Sequence, residues 1–294
     1  MVSEIPSYAI ILVAGVGSRL RPLTEVRPKP LIEVVGISIL RNALRNLAAL
    51  GVAETTVVVG YRKDDIIASC GDTFGKMNIS YVESSHFDHT GSVHSLWLAR
   101  ETLVKGDIFL LGGDVFFESS VFTRMLDHQG DVAAIDIFNE TMTGSAVILS
   151  EGGYLREFRM NQGSVDLSTE PLYKSINLFR FGKSTLTENL VPRLDAHFAS
   201  GGRTAYVEEV LAWLIADGEL RIKGALCDGL RWSEIDSAID LDTANGFSEA
   251  SDESPDLRAA NCRRLRMKTD FRSGRTPQVE IVDPESPFDD SATY

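Results

Sequence analysis

The sequence predicts an α/β protein built on a doubly wound, mostly parallel sheet with an antiparallel insertion. Two patterns carry that prediction. Up to residue 138, short apolar runs rich in branched residues alternate with stretches of helical periodicity, as strands buried on both faces alternate with crossover helices. From residue 145 the strand-like runs follow one another with no helix between them, as antiparallel strands do.

The first strand is "YAIILVA" (8–14), short, continuous and branched. A polar loop follows, then a helix. Its apolar residues Ile39, Leu40, Ala43, Leu44, Leu47 and Leu50 recur at helical spacing, with Ser38 as the N-cap and Gly51 as the left-handed stop. "TTVVVG" (55–60) is the second strand. Next come a helix at 92–103, a strand at "DIFLLGGD" (107–114), a helix at 119–128 and a strand at 131–138. "SAVILS", "GYLREFRM" and "YKSINLFRF" form the antiparallel insertion, and helices follow at 184–200 and 206–217. "LRWSEIDSAIDLDTANGF" reads as a last strand ending near Asp236 and a capped helix. The folded domain is therefore 1–247. The rest, 248–294, mixes charge with few large apolar residues and reads as a disordered tail with one short helix over Leu257–Met267. Its "RRLRMK" is read as a solvated charge run rather than an anion patch. No internal repeat is visible.

Composition narrows the class. With 294 residues, 44% of them hydrophobic, the chain can bury a full core. Its 29 basic and 42 acidic residues leave a net charge of −13, which disfavours nucleic acid as a partner. An anionic ligand must meet local positive charge instead. Apolar stretches run to about seven residues where a membrane span needs roughly 20, and the amino terminus lacks the basic start of a secretory signal, so a cytoplasmic location with no membrane partner is expected. Cys70, Cys227 and Cys262 are too far apart for a Cys-x-x-Cys zinc site and odd in number, against a disulfide framework.

The loop after the first strand, "AGVGSRLRPLTEVRPKPLIEV", carries the chemistry. Gly15 and Gly17 free the backbone to take positive φ, so that successive N–H groups can face phosphate oxygens. Arg19 and Arg21 add fixed positive charge. In open α/β sheets this junction is also where ligands bind. The spacing is neither a Walker A loop nor a dinucleotide fingerprint, since Leu20 stands where the third glycine would be. Pro28 and Pro30 are expected to hold Lys29 in an extended, stiff backbone that aims its ammonium at a fixed point. An ordinary Gly-rich turn remains the alternative reading of the glycines alone. Asp114 ends an apolar strand with two glycines beside it, and Asp236 lies at a second strand end. Both suit a hard cation such as Mg²⁺, which takes one or two carboxylates with phosphate oxygens and water; both equally suit helix capping.

Over residues 8–247 these motifs resemble the nucleotidyltransferase family that includes sugar-1-phosphate nucleotidyltransferases and phosphocholine cytidylyltransferases. The resemblance implies a Rossmann-like, nucleotide-diphospho-sugar transferase-like fold and a catalytic domain. It also implies a nucleotide cradle at Val13, Ala14, Gly15, Gly17, Ser18 and Arg19, with Arg19 at the leaving pyrophosphate and Lys29 at the reacting phosphate. Asp114 and Asp236 would hold catalytic magnesium. Val13 stands where the family usually has alanine. "GDVFFES", "YKSINLFRF", "VPRLDAHF", "AYVEEVL" and "WSEIDSAIDLDTA" resemble the branch acting on phosphocholine and small phosphonates, implying CTP and a small phosphonate or phosphorylated acceptor. That branch commonly has Thr-Asn-Asn where this chain has Thr90-Gly91-Ser92.

Lys174 is a candidate for the acceptor's phosphoryl group, or else a surface lysine. Tyr206, Glu208 and Glu209 either face a cationic acceptor head or start a helix whose dipole they complement. Glu234 is a loose candidate for ligand or ligand support. His86, His89 and His94 match no zinc spacing and are read as ordinary loop and helix residues; Trp97, Trp213 and Trp232 are placed in the core or its rim. The alternatives to a cytidylyltransferase are a sugar-1-phosphate nucleotidyltransferase and, outside enzymes, a nucleotide-binding regulatory module. A homo-oligomer stays open.

Overall fold

The computed structural model describes residues 4–163 and 170–247. The predicted tail and its helix therefore lie outside the described residues. In chain order, strand β1 (Tyr8–Leu12) leads through a loop with a 3₁₀ turn, Ser18–Leu20, into the short helix α1 (Leu23–Val26) and a second 3₁₀ turn, Lys29–Leu31. A small hairpin, β2 (Glu33–Val34) and β3 (Ile37–Ser38), precedes α2 (Ile39–Leu50). Then come β4 (Glu54–Val59), α3 (Lys63–Cys70), β5 (Thr73–Phe74), β6 (Met77–Glu83), α4 (Ser92–Leu98) and α5 (Arg100–Leu103). The middle of the chain adds β7 (Ile108–Gly112), β8 (Val115–Phe117), α6 (Ser120–Leu126), β9 (Val132–Ile137), β10 (Gly144–Leu149), β11 (Leu155–Gln162) and β12 (Tyr173–Phe181). Last are α7 (Lys183–Thr185), a π turn over Leu186–Leu190, α8 (Val191–Ala199), α9 (Val207–Ala216), β13 (Lys223–Leu226), β14 (Trp232–Glu234) and α10 (Ala238–Asn245).

The predicted caps of α2 are present: the Ser38 hydroxyl accepts from the Arg41 N–H, and Gly51 takes φ 94°. Elsewhere boundaries moved. The helix expected over 92–103 breaks at Ala99, and the strand expected over 107–114 ends at Gly112, with β8 starting beyond Asp114. Sequence reading missed α3, whose only buried residues are Ile66 and Cys70, and the half-exposed strand β6.

The sheet runs β11-β10-β12-β7-β1-β4-β6-β5. β1 pairs in parallel with both β4 and β7, and the chain reverses direction at β12, which is antiparallel to β7. The expected antiparallel strands join this same sheet: β12 lies beside β7, and its other edge carries β9, which in turn pairs in parallel with β13. Parallel strands flanking β1 on both sides create the crevice where such sheets bind ligands. Helices cover both faces over two large apolar cores, one around Leu44, Phe109 and Phe122 and one around Leu96, Phe179 and Leu211. β14, the strand expected to end near Asp236, does not join this sheet; it pairs with β8 in a two-stranded ribbon.

Candidate active site

An open cleft of about 1290 Å³ lies above the carboxyl ends of β1 and β7. The register there sets Leu12 opposite Gly112, so the loops leaving the two strands start side by side. Gly113 donates to the Leu12 carbonyl at 3.0 Å, and a Cβ on Gly113 would overlap Val13 and that carbonyl. Here the glycine is demanded by backbone approach.

The two loop glycines differ. Gly17 has φ 67°, and a Cβ on it would sit 2.9 Å from the Lys29 Cβ. Its carbonyl accepts from the buried Thr24 hydroxyl at 3.0 Å, while the Thr24 carbonyl accepts from the Tyr61 hydroxyl at 3.0 Å. Gly15 has neither positive φ nor any atom within 4 Å of a would-be Cβ, so the expectation of positive φ fails there; its bare backbone simply lines the cleft. Lys29 is not extended as predicted. It opens a 3₁₀ turn closed by the Leu31 N–H on the Pro28 carbonyl at 2.8 Å and the Ile32 N–H on the Lys29 carbonyl at 3.0 Å. The turn still aims the side chain, because Pro28 and Pro30 fix φ on either side of it.

Asp114 and Asp236 meet through the ribbon. Glu234 pairs with Val115, and the Ile235 N–H donates to the Asp114 carbonyl at 2.9 Å, which sets the two aspartates side by side. The Lys29 ammonium lies between them, 3.1 Å from Asp114 and 2.6 Å from Asp236, and Arg19 reaches the other Asp236 oxygen at 2.8 Å. A small core of Leu20, Ile32, Val34, Ile39, Ile235 and Ala244 ties the loop to the Asp236 segment beneath these charges. Burial opposes the Lys29 charge, but Asp114 and Asp236 outweigh it and raise its pKa. Burial likewise pushes the Asp114 carboxyl up, and Lys29 more than reverses that, so it is lowered. Ser237 caps α10, accepting from the Asp240 N–H at 3.3 Å, which leaves Asp236 free of capping duty.

Two carboxylates within reach of one ammonium also form a donor set for a hard divalent cation whose remaining ligands are phosphate oxygens and water. Among the described residues there is no cluster of three or more metal-ligating side chains, so any such ion would depend on substrate oxygens. The histidines His86, His89 and His94 form no metal site.

Of the predicted acceptor residues, Tyr206 and Glu208 line the cleft, together with all six of the predicted nucleotide residues. Lys174 does not. It is buried rather than a surface residue, 3% exposed, and pairs with Glu234 at 2.7 Å. The other Glu234 oxygen accepts from the Asn177 amide at 3.1 Å, so both oxygens are engaged. Asn177 occupies φ 57° where the β12 register slips against β9, a bulge that turns its side chain toward the site. Burial and the Asp114 charge push the Glu234 carboxyl up to about 7, against the pull of Lys174. Sequence reading missed Asn177 entirely, since a bulge inside an apolar strand leaves no periodic signal. Glu209, by contrast, is structural: it accepts from the Tyr206 N–H at 2.6 Å at the start of α9. Trp213 is on the surface, 37% exposed, whereas Trp97 and Trp232 lie at core rims.

The predicted departure at Gly91 has a steric origin. A Cβ there would collide with the Thr204 and Ala205 carbonyls, and the Gly91 N–H donates to the Arg203 carbonyl at 2.8 Å. The 203–205 segment occupies the space an asparagine would need.

The family model of nucleotidyl transferase matches residues 8–143. A CMP-5'-(3-aminopropyl)phosphonate synthase of Streptomyces rubellomurinus is 32% identical over 247 residues, covering 80% of this chain and 38% of the relative. Bifunctional protein GlmU of Methanococcus maripaludis is 29% identical over 239 residues, covering 81% of this chain and 53% of the relative. The chain thus spans less than two thirds of the length of either. Among solved structures, the CTP:phosphocholine cytidylyltransferase LicC of Streptococcus pneumoniae superposes with a TM-score of 0.71 at 20% identity, covering 83% of this chain and 100% of that one. The inositol-1-phosphate CTP transferase of T. maritima gives 0.64 at 19% identity, covering 85% and 98%. These likenesses establish the fold as that of nucleotide-diphospho-sugar transferases. No described helix is long and apolar enough to cross a membrane.

Proposed function

We propose, from the match of residues 8–143 to the family model of nucleotidyl transferase, that the chain is a cytidylyltransferase, joining CMP from CTP to a small phosphonate or phosphorylated alcohol with release of pyrophosphate. The observation that carries the proposal is the convergence of Lys29 on Asp114 and Asp236 above the nucleotide loop. A regulatory module that only binds nucleotide has no use for that trio.

In this reading a phosphonate oxygen of the acceptor attacks the α-phosphorus in line. The bond to the β-phosphate oxygen breaks, and pyrophosphate leaves with that oxygen. The acceptor oxygen is anionic near neutral pH, so no general base is needed. Catalysis then rests on positioning and charge. Val13, Ala14, Gly15, Gly17 and Ser18 offer backbone to the triphosphate, Arg19 meets the pyrophosphate, and Lys29 neutralises charge at the reacting phosphate. Asp114 and Asp236 would hold Mg²⁺, which when bound supplies further neutralisation of the triphosphate. Lys174 acts through Glu234, and Tyr206 and Glu208 face the acceptor. CTP is favoured by the relative named as a CMP-phosphonate synthase.

A sugar-1-phosphate nucleotidyltransferase is the second reading, favoured by a UTP–glucose-1-phosphate uridylyltransferase of Haloferax volcanii, 37% identical over 128 residues. Pyrophosphate release with CTP, UTP, GTP and dTTP against phosphonate, phosphocholine and hexose-phosphate acceptors, with Mg²⁺ or with chelator, separates the two. Turnover confined to hexose phosphates refutes the cytidylyl assignment.

A further inference from the structure

The carboxylates lining the cleft are Asp88, Asp114, Glu208, Glu234 and Asp236. Four of them have a cationic partner or a histidine beside them: Asp114 and Asp236 share Lys29, Asp236 also takes Arg19, Glu234 takes Lys174, and Asp88 lies by His89. Glu208 alone has no ion-pair partner among the described residues. Its side-chain contact is the Ser145 hydroxyl, which donates to one carboxylate oxygen at 3.2 Å from strand β10. The α9 terminus does not explain it, because capping falls to Glu209 and Glu208 turns instead to the opposite wall. A shielded carboxylate with a spare oxygen is costly unless a cation reaches it.

Resting on the cytidylyltransferase reading, we infer that Glu208 reads a primary ammonium at the far end of the acceptor, which makes the acceptor a short aminoalkyl phosphonate or aminoalkyl phosphate. The two ends follow from the shared cleft: Glu208 lines the same cavity as Asp114 and Asp236, so one acceptor can carry its phosphoryl end to the aspartates and its other end to Glu208. The kind of cation follows from the walls. A trimethylammonium is held by a cage of aromatic faces. Of the phenyl and phenol rings lining this cleft, Phe179 is buried in the core, Phe87 packs beside Tyr61, and Tyr206, two residues before Glu208 in the chain, is exposed, so they form no cage. A hydroxyl head would leave the carboxylate without a countercharge.

The test uses the full chain with CTP and Mg²⁺ and measures kcat/KM for 2-aminoethylphosphonate, phosphoethanolamine, 2-hydroxyethylphosphonate and phosphocholine. The two amino acceptors separate a phosphonate from a phosphate source. The protein should favour 2-aminoethylphosphonate over its hydroxyl isostere by at least about tenfold, as a site built for a polar group rejects an analogue that cannot match it. Glu208→Gln should collapse that ratio toward unity, and Glu208→Asp should restore part of it. A preference for the hydroxyl or trimethylammonium acceptor, or a ratio that Glu208→Gln leaves intact, overturns the inference. If no acceptor turns over with CTP, the cytidylyltransferase reading fails instead. Calorimetric binding of the same acceptors then decides this one: ammonium-dependent affinity lost in Glu208→Gln supports it, and equal affinities overturn it.

Discussion

The ammonium of Lys29 lies 2.6 Å from the carboxylate of Asp236, although 207 positions separate them in the chain. Two structures hold that contact: the 3₁₀ turn that presents Lys29 and the ribbon that carries Asp236 in beside Asp114. Beneath them Leu20, Ile32 and Ile235 share one apolar core, so packing rather than the ion pair itself keeps loop and ribbon in register.

Removing one carboxylate of this pair should therefore separate chemistry from folding. Asp114→Asn is nearly isosteric and leaves Asp236 paired with both Lys29 and Arg19. Turnover should fall by about 10³-fold or more, the scale expected when a charge-stabilising group at a reacting centre is lost. Pyrophosphate release measures the rate, and far-UV circular dichroism should show an unchanged fold. Activity equal to wild type would remove Asp114 from the site.

Gly17 and Gly15 look interchangeable in sequence and should not behave alike. At φ 67°, with the Lys29 side chain against it, Gly17→Ala incurs left-handed strain and a contact at 2.9 Å. The strain alone is about 1–2 kcal/mol. Gly15→Ala has open space and no positive φ, so its effect on stability should stay within about 0.5 kcal/mol, as for an uncrowded surface change. Urea unfolding of the two variants checks the difference, and equal losses would contradict the geometry.

That contrast marks the limit of what the sequence shows. Periodicity located β1, α2 and α9, and motif chemistry picked out Lys29, Asp114 and Asp236, because buried strands, capped helices and clustered charge leave local signals. Asn177 left none: its role comes from a two-residue register slip deep in β12, set by pairing with a distant strand. Lys174 reads as a plausible surface lysine because nothing nearby in sequence announces Glu234, 60 residues on, as its buried partner. Nor does "GG" before Asp114 reveal that one of those glycines is there for a carbonyl of β1.

Gly91 sharpens the same point, since its missing side chain answers to the 203–205 segment rather than to its own turn. Its backbone is extended, and the obstruction is main chain, which cannot swing aside as a side chain would. Gly91→Ala should cost about 1–3 kcal/mol through overpacking. It should also push the segment leading to Tyr206 and Glu208, raising KM for the acceptor more than KM for the nucleotide. Denaturant unfolding with separate substrate titrations tests both parts. A stable variant with an unaltered acceptor KM would show that the two loops do not bear on each other.

Glu208 also predicts a pH signature in the ligand-free protein. Burial raises its carboxyl above the usual range, and the Ser145 hydroxyl bond offsets this only in part. The folded protein thus binds this proton more tightly than the unfolded chain does. Its contribution to stability rises as pH falls through the folded pKa toward the unfolded value of about 4.3, and it is unfavourable above both. Glu208→Gln removes the charge without changing the shape, so the variant should melt higher than wild type at pH 8 and lose that advantage by pH 5. Paired melting curves across this interval provide the check. A gap that is constant with pH would mean that the carboxylate is not destabilising when charged. Saturating 2-aminoethylphosphonate should close the gap from the other side, because an ammonium beside Glu208 stabilises the charged form in wild type and has no such partner in the variant.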